Sequence, residues 1–163
     1  MKGSLVPTSV TELLDRCGVE YVVRKHEAPA FTSEDAARER GVRISQIAKC
    51  MVGEKVGGSL VVMIIPGDRT LKIKKVRQAL GGVCVTLLAT DQLEDRLGLT
   101  VGAITPMQFL ELGATFVMDP SVLDEEWVDV SSGDPMAGLE LRSADLHRIL
   151  EPLITDIKSD PKP

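Results

Sequence analysis

Aromatic residues make up only 3% of the 163-residue chain: one Trp, one Tyr and three Phe. The core is therefore expected to consist of Val, Leu, Ile, Ala and Met. The same shortage argues against the stacking platforms on which single-strand nucleic-acid binders seat their bases. Cysteine is sparse as well. Cys17, Cys50 and Cys84 lie far apart without a CxxC, so neither a disulfide framework nor a zinc site is expected, and a reducing, cytoplasmic setting fits. Only two histidines occur, His26 and His147, and no paired carboxylate motif accompanies them. No metal or other cofactor is expected. No apolar run is long enough to cross a bilayer, and the start "MKGSLVPTSV" lacks the apolar segment of a secretory signal. Basic runs are missing too: the formal net charge is −5. That argues against an extended phosphate-backbone footprint, and so against DNA, but leaves room for contact with just the end of a nucleic acid. Walker, GxSxG and HExxH motifs are absent.

What is present reads as one domain over residues 1–156 with a loose tail over 157–163. "TSVTELLDRCG" has the pattern of a capped amphipathic helix, and "EYVVRKH" that of a strand. "TSEDAARERG" carries the clearest helix start, with Thr32 and Asp35 as a capping box and Gly41 as the stop. "SQIAKCMV" and "LVVMIIPG" flank "GEKVGG" as a β-hairpin, and "PGDRT" is a turn. "LKIKKVRQALGG" is a basic amphipathic helix, "VCVTLLA" a buried strand, and "TDQLEDRLG" a short helix. "TVGAITPM" has too many turn formers for regular structure. "ATFVMD", "EWVDVS" and "LELRS" are three further strands before the helix "SADLHRILEPL". Strands and helices are interspersed and many links have hairpin length. The expected fold is α/β of the α+β type, a mixed, largely antiparallel sheet curled into a barrel with flanking helices.

Lys49 is the candidate for chemistry. Alternation within "QIAKCMV" puts Ile47, Lys49 and Met51 on one face and Ala48, Cys50 and Val52 on the other. An ammonium between two apolar neighbours must snorkel, pair or face a cavity. Pattern alone leaves a snorkelling edge lysine as the commoner case. In "VGAITP", Gly102 permits unusual backbone and Pro106 fixes the far end, a geometry that can point N–H groups at an oxygen or form a plain turn. Cys50 reads as a buried thiol. The basic helix bearing Lys72, Lys74, Lys75 and Arg77 reads as a solvated face or as a modest positive patch for the end of a nucleic acid.

In their order, "HEAPAFTSEDAA", "SQIAKCMV", "VVMIIPGDRTLKIKKVRQALG", "TVGAITP", "DVSSG" and "LELRSADLHRIL" resemble the YbaK/prolyl-tRNA-editing family over nearly the whole chain. The resemblance implies a trans-acting hydrolase that deacylates mischarged tRNA, especially tRNA for proline carrying cysteine, alanine or another small residue. It implies Lys49 as the catalytic residue. It also implies substrate contacts from Gly102, Ala103, Ile104, Thr105 and Pro106, from Ser131, and from Phe31 and His26 at the pocket entrance. Ala103 and Thr105 stand where many members carry Gly and Ser, a bulkier loop that would narrow the pocket or retune its polarity. An extra residue in "SGDPMAGLEL" keeps Glu140 out of the expected site. "SSGD" replaces the His-Pro motif of alanine-specific members, which places the chain on the YbaK side. The implied partners are the aminoacyl-tRNA acceptor end and prolyl-tRNA synthetase, with the protein a monomer or weak dimer. The competing expectations are a non-catalytic tRNA or synthetase accessory module and a small-molecule esterase using the same pocket.

Overall fold

Val61, Val62, Met63, Ile64 and Ile65 are all fully buried, and this run decides the architecture. Successive strand residues face opposite sides of a sheet, so a strand apolar on both faces must be covered on both. The computed structural model describes residues 8–100 and 102–160. In chain order its regular elements are α1 (Ser9–Arg16), β1 (Tyr21–Lys25), α2 (Ser33–Arg40), β2 (Ala48–Lys55), β3 (Leu60–Pro66), α3 (Ile73–Ala79) and β4 (Val85–Leu87). They continue as α4 (Thr90–Leu97), β5 (Thr115–Met118), β6 (Trp127–Ser131), β7 (Ala137–Arg142), α5 (Ser143–Leu150) and β8 (Leu153–Ile154).

The strands form two sheets, ordered β4-β2-β3-β5-β8 and β1-β7-β6. β2 and β3 make the expected antiparallel hairpin, while β3–β5 and β5–β8 are parallel. One face of the larger sheet presents Val62 and Ile64 to Tyr21, Val128, Val130 and Leu139 of the smaller sheet. The other presents Val61, Met63 and Ile65 to Val76 of α3 and to Ile157. Each such side chain contributes roughly 1.5–3 kcal/mol by leaving water.

The mixed, largely antiparallel pairing agrees with expectation, but the barrel does not form. Neither sheet closes on itself; among the described residues the backbone pairing that links them is a single parallel bridge between Ile47 and Asp129, and the rest of their contact is side-chain packing. The larger sheet ends at β4 and β8 and the smaller at β1 and β6, so each keeps two edges that no strand pairing joins among the described residues. β4 is the edge strand of its sheet, with Thr86 and Leu87 exposed, and not the buried strand its composition suggests. β8, with only two residues, was too short to carry a sequence pattern.

The segment expected to be a loose tail is docked as far as residue 160. Ile157 is fully buried. Lys72 N–H donates to Ile157 O and Ser159 N–H to Thr70 O, both at 2.8 Å. Buried Asp119 accepts from Ile157 N–H at 2.9 Å and from Ser121 N–H at 3.0 Å. Burial raises its pKa, but hydrogen bonds from Ser121 and Ile157 outweigh that and hold it at about 2, against an ordinary 3.8. A depressed carboxyl adds stability above its unfolded value, so roughly 2 kcal/mol is present above pH 4 and lost as pH falls toward 2. Urea melts across that window should show the loss in the native chain and a flatter profile in Asp119→Asn. Parallel profiles would refute the clamp.

Candidate active site

α2 begins where Thr32 Oγ1 accepts the Asp35 N–H at 3.0 Å. The Asp35 carboxylate bonds Arg38 at 2.7 Å. Gly41 ends the helix at φ 68°, the left-handed conformation expected of a stop. The start of this helix, β2, the end of β6 and the loop after Thr100 enclose a cavity of about 430 Å³.

Lys49 lies in its wall. The predicted alternation holds: Ala48, Cys50 and Val52 face the main core and Met51 the second one. The Lys49 ammonium is half-buried and donates to Arg69 O at 2.8 Å. Burial lowers its pKa, and the carboxylates of Glu34 and Asp68 offset part of that. The result is a cation held in a low-dielectric wall with one carbonyl partner, able to meet developing negative charge. Beside it, Gly67 N–H donates to Ile47 O at 2.8 Å.

The loop is only half in the cavity. Gly102 and Ile104 line it, whereas Ala103 and Thr105 are fully buried in the opposite direction. Ala103 N–H donates to Thr100 O at 3.0 Å and Thr105 N–H to Gln108 Oε1 at 3.0 Å, so neither amide is aimed at a ligand. The Ala103 and Thr105 side chains therefore alter packing behind the loop and do not narrow the pocket. Pro106 is buried at the start of a 3₁₀ turn and is not in the wall. Gly102 has φ 81°, and a Cβ there would lie 2.8 Å from Ala30 O. The Phe31 ring, 63% exposed, rests against it at the rim.

Ser131 lines the cavity; His26 does not. His26 is buried behind Arg40, whose Nε donates to His26 Nε2 at 3.1 Å. Its Nδ1 donates to Pro135 O at 3.0 Å, which sets a neutral tautomer. Burial and the Arg40 charge both lower its pKa. The expected entrance histidine is thus a support for the wall.

Two wall residues escaped the sequence reading. Arg40, in the last turn of α2, is buried. Asp129 sits inside the apolar run of "EWVDVS", the same pattern that singled out Lys49, and there it passed unread. It is fully buried, and burial pushes its carboxyl up to about 7, with Arg40 opposing and Glu140, opposite it in the ladder, adding to the rise.

Cys50 opens partly onto the cavity, yet desolvation pushes its thiol up to about 12. It should resist alkylation at pH 8 while exposed Cys84 reacts, as mass spectrometry after brief iodoacetamide treatment would show; equal labelling would refute this. The basic helix is partly engaged, with Lys74 left exposed. Lys75 bonds Asp156 at 2.9 Å, and Arg77 donates to Val85 O at 2.8 Å. Among the described residues no cluster of His, Cys, Asp and Glu is placed to hold a metal ion, and no helix is long and apolar enough to cross a membrane.

Fold and cavity together define a small two-sheet α/β domain with one half-buried lysine in a pocket sized for a small group. The chain belongs to the aminoacyl-tRNA editing domain family, whose model matches residues 27–149, the class of hydrolases that deacylate tRNA. It is 25% identical over 161 residues to the multifunctional Ser/Thr-tRNA deacylase ProXp-y of Escherichia coli K12, covering 96% of this chain and 95% of that one. It is 22% identical over 147 residues to the prolyl-tRNA editing protein ProX of Acetoanaerobium sticklandii, covering 88% and 89%. Among solved structures, hypothetical protein APE2540 superposes with a TM-score of 0.84 at 25% identity, over 93% of this chain and 100% of that one. A candidate trans-editing enzyme for prolyl-tRNA synthetase shares the fold, with a TM-score of 0.78 at 20% identity over 93% and 95%.

Proposed function

We propose that the protein acts in trans on mischarged tRNA, releasing a small amino acid from the acceptor end, with Lys49 as the catalytic residue. The half-buried Lys49 ammonium in the cavity wall carries this reading. It would orient the terminal ribose and the ester carbonyl and stabilise the negative charge that develops on the carbonyl oxygen. Gly102 and Ile104 would bound the aminoacyl group, Ser131 would supply a polar contact, and the Phe31 ring would meet the terminal nucleotide at the rim. The ester is already activated, so water or the ribose hydroxyl can attack without a protein nucleophile. The high thiol pKa of Cys50 agrees with that.

The biological need follows from pocket energetics. A synthetase site that accepts proline discriminates against a smaller residue by only about 1–3 kcal/mol per missing methylene, so a second sieve is required. Cysteine and alanine on tRNA for proline are the substrates the family resemblance implies. Serine and threonine join them through the name of the Escherichia coli relative. With a net charge of −5 and a basic helix partly paired to Asp156 and Asp160, the protein would hold only the acceptor end, and prolyl-tRNA synthetase would supply tRNA identity. A panel of these mischarged tRNAs, assayed for free amino acid, tests the reading. Release from at least one of them is expected, and release from none would overturn it.

A further inference from the structure

The inner wall of the cavity holds a charge pair with no part in the scheme above. Asp129 lies in β6 between Val128 and Val130, which belong to the main core, so its side chain is on the opposite face. No N–H or hydroxyl among the described residues donates to either of its carboxylate oxygens; its near neighbour is a second acid, Glu140, and burial, with the charge and side-chain contact of that acid, raises the Asp129 pKa. Glu140, across the ladder, accepts from Arg24 at 3.0 Å. Arg40 faces the same cavity. It is seated by His26 and lies over Gly138, where a Cβ would collide with its guanidinium. An acceptor and a donor are therefore fixed in one wall, close enough for each charge to act on the other and not hydrogen-bonded to each other. A buried carboxylate without a partner is unfavourable until a ligand completes it.

A small aminoacyl ester offers two groups for that place, its α-ammonium and a side-chain hydroxyl. The ammonium only donates and would be set against the Arg40 guanidinium as a like charge. A hydroxyl donates to one partner and accepts from the other. We propose that Asp129 and Arg40 are specificity-determining residues that select an aminoacyl group bearing a side-chain hydroxyl, as in seryl or threonyl esters. Asp129 accepts the hydroxyl proton in a hydrogen bond and Arg40 donates to the hydroxyl oxygen. His26 is a positioning residue that holds Arg40 in place. The assignment rests on the deacylase reading and names its substrate class.

The test compares kcat/KM for seryl and alanyl esters of one tRNA at pH 8, above the value of about 7 to which burial raises the Asp129 carboxyl. In Asp129→Asn, which is nearly isosteric, the seryl-to-alanyl ratio should fall by about 10-fold as a charged acceptor becomes neutral. Arg40→Met should lower the same ratio by a similar factor. An unchanged ratio in folded Asp129→Asn overturns the proposal. An equal loss on both esters also overturns it, since that result assigns Asp129 to the α-ammonium. A native protein that acts on the alanyl but not the seryl ester, or on neither of them while releasing another amino acid of the panel, overturns the proposal alone; release from no member of the panel refutes the deacylase reading itself.

Discussion

Lys49→Ala is expected to lower kcat for deacylation of a mischarged tRNA by about 10²–10³-fold, the effect of removing one preorganised charge from a water-poor site. Position and environment support that figure. The ammonium is half-buried in a wall and its carbonyl partner, Arg69 O at 2.8 Å, leaves other donors for substrate. Stability should change little, because the substitution removes a partly desolvated cation from a strand that keeps its ladder with β3. A melting temperature within about 4 °C of the native value would show this. Near-native deacylation by a folded Lys49→Ala protein would end the catalytic assignment. The pH profile has a sign as well. Burial lowers the Lys49 pKa below its ordinary 10.5, and the charged form is the active one. The rate should therefore fall as pH rises through that lowered value, earlier than a solvated lysine would require. A rate flat to pH 10.5, after correction for spontaneous ester hydrolysis, would contradict it.

Gly67→Ala is expected to destabilise the fold by about 3 kcal/mol, the upper part of the range for overpacking. Its φ is not positive, so the backbone itself admits alanine. Space is the obstacle. A Cβ would sit 2.7 Å from Ile44 O, 2.9 Å from Ile47 Cβ and 3.1 Å from Ser33 Cβ. These are a backbone atom and the roots of short side chains, none of which can rotate away. The strain would push apart α2 and the start of β2, the two elements that carry opposite sides of the cavity. A drop in melting temperature of roughly 6–12 °C is the expected result, with deacylation reduced in the protein that remains folded. An unchanged melting temperature would show that the wall is looser than its contacts indicate.

Much of the fold was legible in the residues. The helix starting at Thr32 and stopping at Gly41, the β2–β3 hairpin and the alternation around Lys49 depend on neighbours within a few positions, where local chemistry decides. Gly67 was read correctly as part of a turn, but its reason for being glycine is the close approach of α2, which no local pattern records. Asp129 illustrates the opposite case. A lone charge sits inside an apolar strand in "EWVDVS" as in "QIAKCMV", and the pattern alone does not say which of the two is fully buried.

The chain by itself determined most of its helices and longer strands and the family to which its ordered motifs belong, but not the two-residue β8. It also determined that a lysine would have to snorkel or face a cavity, because an ammonium between apolar neighbours has few other choices. The tertiary structure alone decided between these. It set two sheets against each other instead of closing one, with the smaller sheet over one apolar face of β3 and α3 over the other. It turned Ala103 and Thr105 away from the pocket and put His26 behind Arg40. It also brought Arg40 and Asp129, 89 positions apart by their numbers, into one wall, since contacts across that separation follow from packing and not from spacing along the chain.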